Sequence, residues 1–138
     1  MNIIIGSDHA GFELKEKIKI FFKNNYNFTD VGCYNDTRCD YPDIAKLLCK
    51  KITDSNFGIL VCGTGIGMTI CANRFPHIRC ALCHNSTTAE MARKHNNANV
   101  LSLGARILDE ESVYSIIKVF LENTFEGGRH QNRINKFL

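Results

Sequence analysis

No apolar run in this 138-residue chain approaches the roughly 20 residues needed to span a bilayer. No basic and apolar export signal opens it, because "MNIIIGSDH" turns polar after a short apolar run. No dense Lys/Arg stripe appears, and a net charge of +3 is mild, so nucleic acid is not an expected partner. No second C-x-x-C accompanies "CALCH" (Cys80 to His84), so a four-ligand zinc site is not completed. The match of "CALCH" to a haem-attachment pattern is set aside, since "RCALC" reads as a buried strand in which Cys is a small apolar residue. These absences imply a cytoplasmic protein without membrane segments. Seven cysteines are then expected as reduced thiols, and their odd number argues against a full disulfide framework.

What is present is an ordinary globular composition, 44% apolar and 22% charged, over a length that suits a single domain, residues 1–138. Short β-like runs alternate with helical ones. Strands are expected at 2–5, 28–31, 58–61, 79–83 and 99–103. Helices are expected between them, with Pro42 near the start of the second and a Ser/Thr cap on the fourth. After the last strand Val113, Ile116, Ile117, Phe120 and Leu121 form an amphipathic face. This alternation predicts an α/β fold: a five-stranded parallel sheet covered by helices on both faces. The tail, "EGGRHQNRINKFL", breaks at Gly127-Gly128 and then reads as a short helix with Ile134, Phe137 and Leu138 on one face. So short a helix does not hold alone in water, so it must dock on its own domain or on a partner chain.

Ligands in parallel α/β sheets bind at the carboxyl ends of the strands. There the sequence offers Asp8 and His9, Cys62 to Gly67, His84 and Asn85, and Gly104 to Arg106. "CGTGIGM" (Cys62 to Met68) is a strand, a glycine loop and a helix start, the pattern of an amide-lined anion cradle or of a tight turn. It is not a dinucleotide loop, which needs Gly where Met68 stands, and it lacks the Gly-Lys-Ser/Thr of a P-loop. A thiol at that position, beside the positive end of a helix, suits a nucleophile or a base; the alternative is a buried core cysteine. Asp8 could cap the first helix or touch a ligand. His95, with Asn96, gains weight only if it faces the same strand ends as Cys62. Arg129 and Arg133 stand four apart, as a solvated face or a phosphate fork, and Arg106 follows the fifth strand. A thiol, an imidazole, an amide cradle and arginines, with no metal or nucleotide motif, suit acid–base work on a small phosphorylated molecule.

Five motifs, "SDHAGF", "DYPD", "VCGTGIGM", "RKHNNANVLSLGAR" and "EGGRHQNR", resemble in order the type B ribose-5-phosphate isomerases, a family that includes the galactose-6-phosphate isomerase subunits. The resemblance implies a Rossmann-like three-layer α/β/α sandwich with a C-terminal helical tail. It implies interconversion of ribose 5-phosphate and ribulose 5-phosphate, a step of the non-oxidative pentose phosphate pathway, without cofactor or metal. Cys62 would be the base, with Thr64 beside it, and His95 would open the sugar ring. The backbone of Gly63, Thr64, Gly65, Ile66 and Gly67 would hold the enediolate oxygen. Asp8, His9, Tyr41 and Asn96 would contact the sugar or phosphate, and Arg106, Arg129 and Arg133 the phosphate. It also implies a homodimer with shared sites, open to pairing into tetramers, the tail (123–138) packing on the partner. Two other readings stay open: a hexose 6-phosphate isomerase for allose or galactose, with 37–41 and His84 setting pocket length, and a non-enzymatic sugar-phosphate binder.

Overall fold

A computed structural model describes residues 1–137. The chain runs β1 (Asn2–Ser7), α1 (Phe12–Phe21), β2 (Asn27–Asp30), α2 (Tyr41–Cys49), β3 (Asn56–Cys62), α3 (Ile66–Ala72), β4 (Cys80–Leu82), α4 (Ser86–Asn96), β5 (Val100–Gly104), α5 (Glu110–Glu122) and α6 (Arg129–Ile134). All strand pairs are parallel, in the order β2-β1-β3-β5-β4. The expected architecture is present, helices on both faces included. The two central strands run further than the apolar pattern suggests: β1 continues through Gly6 and Ser7, and β3 takes in Cys62. Parallel pairing, Gly6 with Leu60 and Cys62 with Gly104, holds these residues in the sheet.

Period-two alternation sorts the strand residues into two cores. Ile3, Ile5, Ile59, Val61, Leu101 and Leu103 pack under α1, α4 and α5. Ile4, Leu60, Cys62 and Val100 pack under α2 and α3. Cys62 therefore lies on the α2/α3 side. Helix α4 starts at Asn85 rather than at a Ser or Thr: Asn85 Oδ1 accepts from the Thr88 amide at 2.8 Å, and Thr88 completes a capping box. The tail helix α6 docks on α4 of its own chain. Of its expected apolar face, Ile134 is half-buried and Phe137 exposed, while Leu138 lies outside the described residues.

Among the described residues no helix is long and apolar enough to cross a membrane. The expectation of wholly reduced thiols is corrected, because Cys33 and Cys39 are joined as a disulfide. The segment after β2 folds back on itself, so two cysteines six apart meet. The other five cysteines are free. Burial pushes the thiols of Cys49 up to about 12 and Cys83 up to about 11, and raises Cys80 too. That suits the structural reading of "CALC", whose Cys80 and Cys83 are buried.

One buried charge ties α1 to β2 and to the segment after it. Lys15 is fully buried; its Nζ donates to Asp30 Oδ1 at 2.8 Å and to the Cys33 carbonyl, and it lies over the rings of Phe12 and Tyr34. Burial alone would raise the Asp30 carboxyl, but Lys15, Lys19 and the Gly32 amide more than offset it and hold it below the ordinary value. Its stabilising share is complete above the unfolded-state value near 3.8 and is lost as pH falls from there through the lower folded-state value. Replacing Lys15 by Met should cost about 3 kcal/mol in denaturant unfolding at neutral pH. A loss below about 1 kcal/mol would mean that Lys19 alone satisfies Asp30.

Candidate active site

Where the strand order turns about β1 and β3, α1 and α3 leave on opposite faces of the sheet and open a crevice at the carboxyl ends. Asp8 and His9 stand on the β1 side, and Cys62 with its glycine loop on the β3 side. The Asp8 amide donates to the Val61 carbonyl at 3.2 Å, which brings the two turns side by side. Asp8 is buried, and its Oδ1 accepts from the Gly11 amide at 3.1 Å, so this carboxylate shapes the turn into α1. His9 Nδ1 sits 3.3 Å from the backbone nitrogen and oxygen of Cys39, which fixes the ring against the disulfide-bearing segment.

The Cys62 thiol is 4% exposed and is addressed by its own loop: the Gly65 amide donates to Sγ at 3.1 Å. Gly65 has φ +80°, a conformation that lets the chain double back here, and a side chain on it would meet Leu82 at 2.6 Å. The Ile66 amide turns to Thr64 Oγ1 at 3.2 Å. Two loop amides are thus engaged inside the loop, so the Gly63–Gly67 run does not aim every N–H at a single outside oxygen. Thr64 itself is exposed at the rim. Tyr41, at the start of α2, lays its ring against Gly67: a Cβ there would stand 2.5 Å from Tyr41 Cζ. Arg106 covers Gly63, its guanidinium 3.2 Å from where a Cβ would be, and its amide donates to the Gly63 carbonyl at 2.9 Å. Asp8, His9, Tyr41, Cys62 to Gly67 and Arg106 therefore share one end of the sheet.

The remaining residues do not reach it within one chain. Helix α4 runs back against the strands and delivers His95 and Asn96 to their amino end, where the Gly58 amide meets the Asn99 carbonyl at 2.9 Å. From Gly58 to Cys62 is four residue steps, about 13 Å along the sheet. His95 thus misses the condition set for it in its own chain. Around it the tail gathers a second cluster. The ring of His130 stacks on that of His95, centroids 4.2 Å apart. Exposed Arg129 and Arg133 belong to the same short helix. Burial first, then the neighbouring His95 and arginines, lowers the His130 imidazole from its ordinary value, although Glu126 opposes this. The sequence gives no metal-ligand spacing, yet the fold brings His95, Glu126 and His130 together, with one ligating atom of each within 4.8 Å of the others. His130 and Glu126 carried no signal beyond their spacing of four around two glycines. Beside this cluster opens a groove of about 680 Å³ lined by Phe75, Ile78, Ala98, Ile134 and Phe137, with Asn96 at its edge. It lies away from Cys62.

Gly104 is as constrained as the loop glycines. A Cβ there would sit 2.6 Å from the Thr64 carbonyl oxygen, a backbone atom that cannot swing aside. Gly104→Ala should cost about 1–3 kcal/mol in denaturant titration, the scale of overpacking. A change within about 0.5 kcal/mol would show that the loop yields freely.

A family profile described as Ribose/Galactose Isomerase matches residues 3–137. A putative sugar phosphate isomerase of Rickettsia conorii is 47% identical, over 98% of this chain and 96% of its own length. Among solved structures, a ribose 5-phosphate isomerase of Thermotoga maritima is 47% identical and superposes with a TM-score of 0.95, covering 98% of this chain and 95% of that one. The ribose-5-phosphate isomerase B of Mycoplasma genitalium, solved with bound ribulose 5-phosphate, is 44% identical with a TM-score of 0.93, over 98% of this chain and 92% of its own.

Proposed function

The chain belongs to the ribose/galactose isomerase family, and on that premise we propose how it interconverts D-ribose 5-phosphate and D-ribulose 5-phosphate. The observation that carries the mechanism is Cys62 at the end of β3, its sulfur met by the Gly65 amide inside a loop that Arg106 covers. That N–H, 3.1 Å from the sulfur, holds the thiol in one place at the strand end, as a group acting on a single carbon must be held.

In the open-chain aldose, Cys62 takes the proton from C2 while the C1 carbonyl oxygen gains charge. The resulting enediolate is held by loop N–H groups as the substrate settles among them. The proton returns to C1, and a hydroxyl proton moves from O2 to O1, giving the ketose. No electron leaves the substrate, so the chemistry asks for no redox cofactor. His95 would pass a proton to the ring oxygen when the furanose opens. Asp8, His9, Tyr41, Thr64 and Asn96 would contact the sugar, and Arg106, Arg129 and Arg133 the phosphate.

The separation of His95, Asn96 and the tail arginines from Cys62 is what supports a homodimer. One chain cannot place both groups around one small sugar, whereas a second copy related by a two-fold axis can bring its amino-end cluster to the first copy's crevice. Exposed Ile66 and Ile70 on α3 and Leu47 on α2 give that copy an apolar surface near Cys62. The tail would then pack on its own α4 and present its arginines across the interface. An enzyme for this substrate would work in the cytoplasm, where charge retains sugar phosphates behind the membrane.

Cys62→Ala should lower turnover of ribose 5-phosphate at least about a hundredfold, the scale of an acid–base group. A normal rate in that variant would remove Cys62 as base. Arg133→Ala should mainly raise KM, a loss of binding common to ground and transition states. Statistical mixing of Cys62→Ala and His95→Asn chains should restore about a quarter of wild-type activity, because one site of each mixed dimer is whole. No restoration, or a monomer by light scattering, would overturn the shared site. Given side by side with a chelator, ribose 5-phosphate should turn over faster than allose 6-phosphate or galactose 6-phosphate; the opposite order would favour a hexose enzyme.

A further inference from the structure

We propose that His95, Glu126 and His130 form a binding site for a divalent transition metal of the zinc class, and that filling it shuts the enzyme down by engaging His95. The inhibitory half rests on the isomerase reading above; the metal site does not.

The geometry begins with the tail. Gly127 and Gly128 both have positive φ, +70° and +57°, and turn the chain sharply between α5 and α6. The turn is anchored on α4, where the Glu126 amide donates to the Lys94 carbonyl at 3.1 Å. It puts Glu126 and His130 beside His95, the residue that follows Lys94. His130 is 5% exposed, and its Nε2 is a buried ring nitrogen with no hydrogen-bond partner. Glu126 Oε2 stands 3.5 Å from it, close enough for attraction without a hydrogen bond. A buried polar atom left unpaired is costly, and a ligand that accepts its lone pair relieves that cost.

Two imidazoles and a carboxylate are a ligand set that zinc uses, with the fourth position open to water. The three ligating atoms lie within 4.8 Å of one another. The two rings are parallel to within 12°, so one must rotate for both lone pairs to converge. The Cβ–ring torsion is broad enough for that, and His95 is only half-buried. Glu126 is the one anion in the cluster, and it offsets part of the charge of exposed Arg129 and Arg133. A metal held by His95 removes the nitrogen proposed for ring opening. The site is therefore inhibitory and distinct from any requirement for metal in turnover.

The test uses the full chain, stripped with chelator and then titrated with zinc and, as a spectroscopic stand-in, cobalt(II). The expected result is one metal per chain and a cobalt spectrum without a thiolate charge-transfer band. Glu126→Gln and His130→Gln should each bind at least about tenfold more weakly. Zinc should abolish ribose 5-phosphate turnover in the wild type, and chelator should restore it. Glu126→Gln should keep its metal-free turnover within about twofold and need at least about tenfold more zinc for inhibition. A thiolate band, equal affinity in wild type and variants, or no metal retained at micromolar protein would overturn the site. Tight binding with undiminished turnover would overturn the inhibition. A chain that binds zinc as described but never isomerises a sugar phosphate would sink the isomerase reading and leave the metal site standing.

Discussion

The parallel pairing of β3 with β5 does not stop where the sheet does, and the proposed site depends on that continuation. Cys62 pairs with Gly104 in register, the Ala105 amide then reaches the Cys62 carbonyl at 2.8 Å, and the Arg106 amide reaches Gly63. From within β5, buried Ser102 Oγ donates to the Gly65 carbonyl at 2.8 Å. The glycine loop is thereby pinned from below and from the side by one neighbouring strand. Its conformation is decided by sheet hydrogen bonds, which are rigid, rather than by the loop's own flexible backbone. Thiol, amide and guanidinium are held in one relation because they hang on consecutive rungs of one ladder.

The same rigidity sets a limit. A sheet only five strands wide carries its ligand crevice at one end, and helices return the chain to the other. Helix α4 ends at the amino end and α5 returns the chain there after β5, so His95 and the tail stand a strand's length from Cys62 in the same chain. If the reaction needs both groups, as proposed, this fold can supply them together only from two copies.

The elements were legible in the sequence because each strand is short, apolar and followed by a helical period. The sharp turn after β3 was legible too, because three alternating glycines follow a buried run. Cys62 and Arg106 stand out for the same reason: both follow strands directly. What stayed hidden depends on contacts far apart in sequence. Nothing local to Gly104 tells that the Thr64 carbonyl passes within 2.6 Å of where its side chain would be. Nothing local to His130 tells that it will stack on His95 across 35 positions. The Cys33–Cys39 pairing arises from a fold-back that the polar stretch between them does not announce. The distance of His95 from Cys62 within one chain was hidden because helical spacing gives an element's direction only once the sheet is assembled.

Seven cysteines in one short chain pose a selectivity problem, and the fold resolves it by surroundings. Cys49, Cys80 and Cys83 sit where burial holds the proton on sulfur. Cys33 and Cys39 spend their sulfurs on each other, beside the backbone that steadies His9. Cys71 lies near the Pro42 carbonyl at 3.8 Å, away from the glycine loop. Cys62 is as buried as the inert ones by exposure alone, so exposure does not separate it from them. What separates it is a backbone donor aimed at sulfur from a residue three positions on, Gly65, which takes a left-handed conformation. The proposed base is thus set apart by one backbone conformation, and the glycines of the loop are the means by which the chain can adopt it.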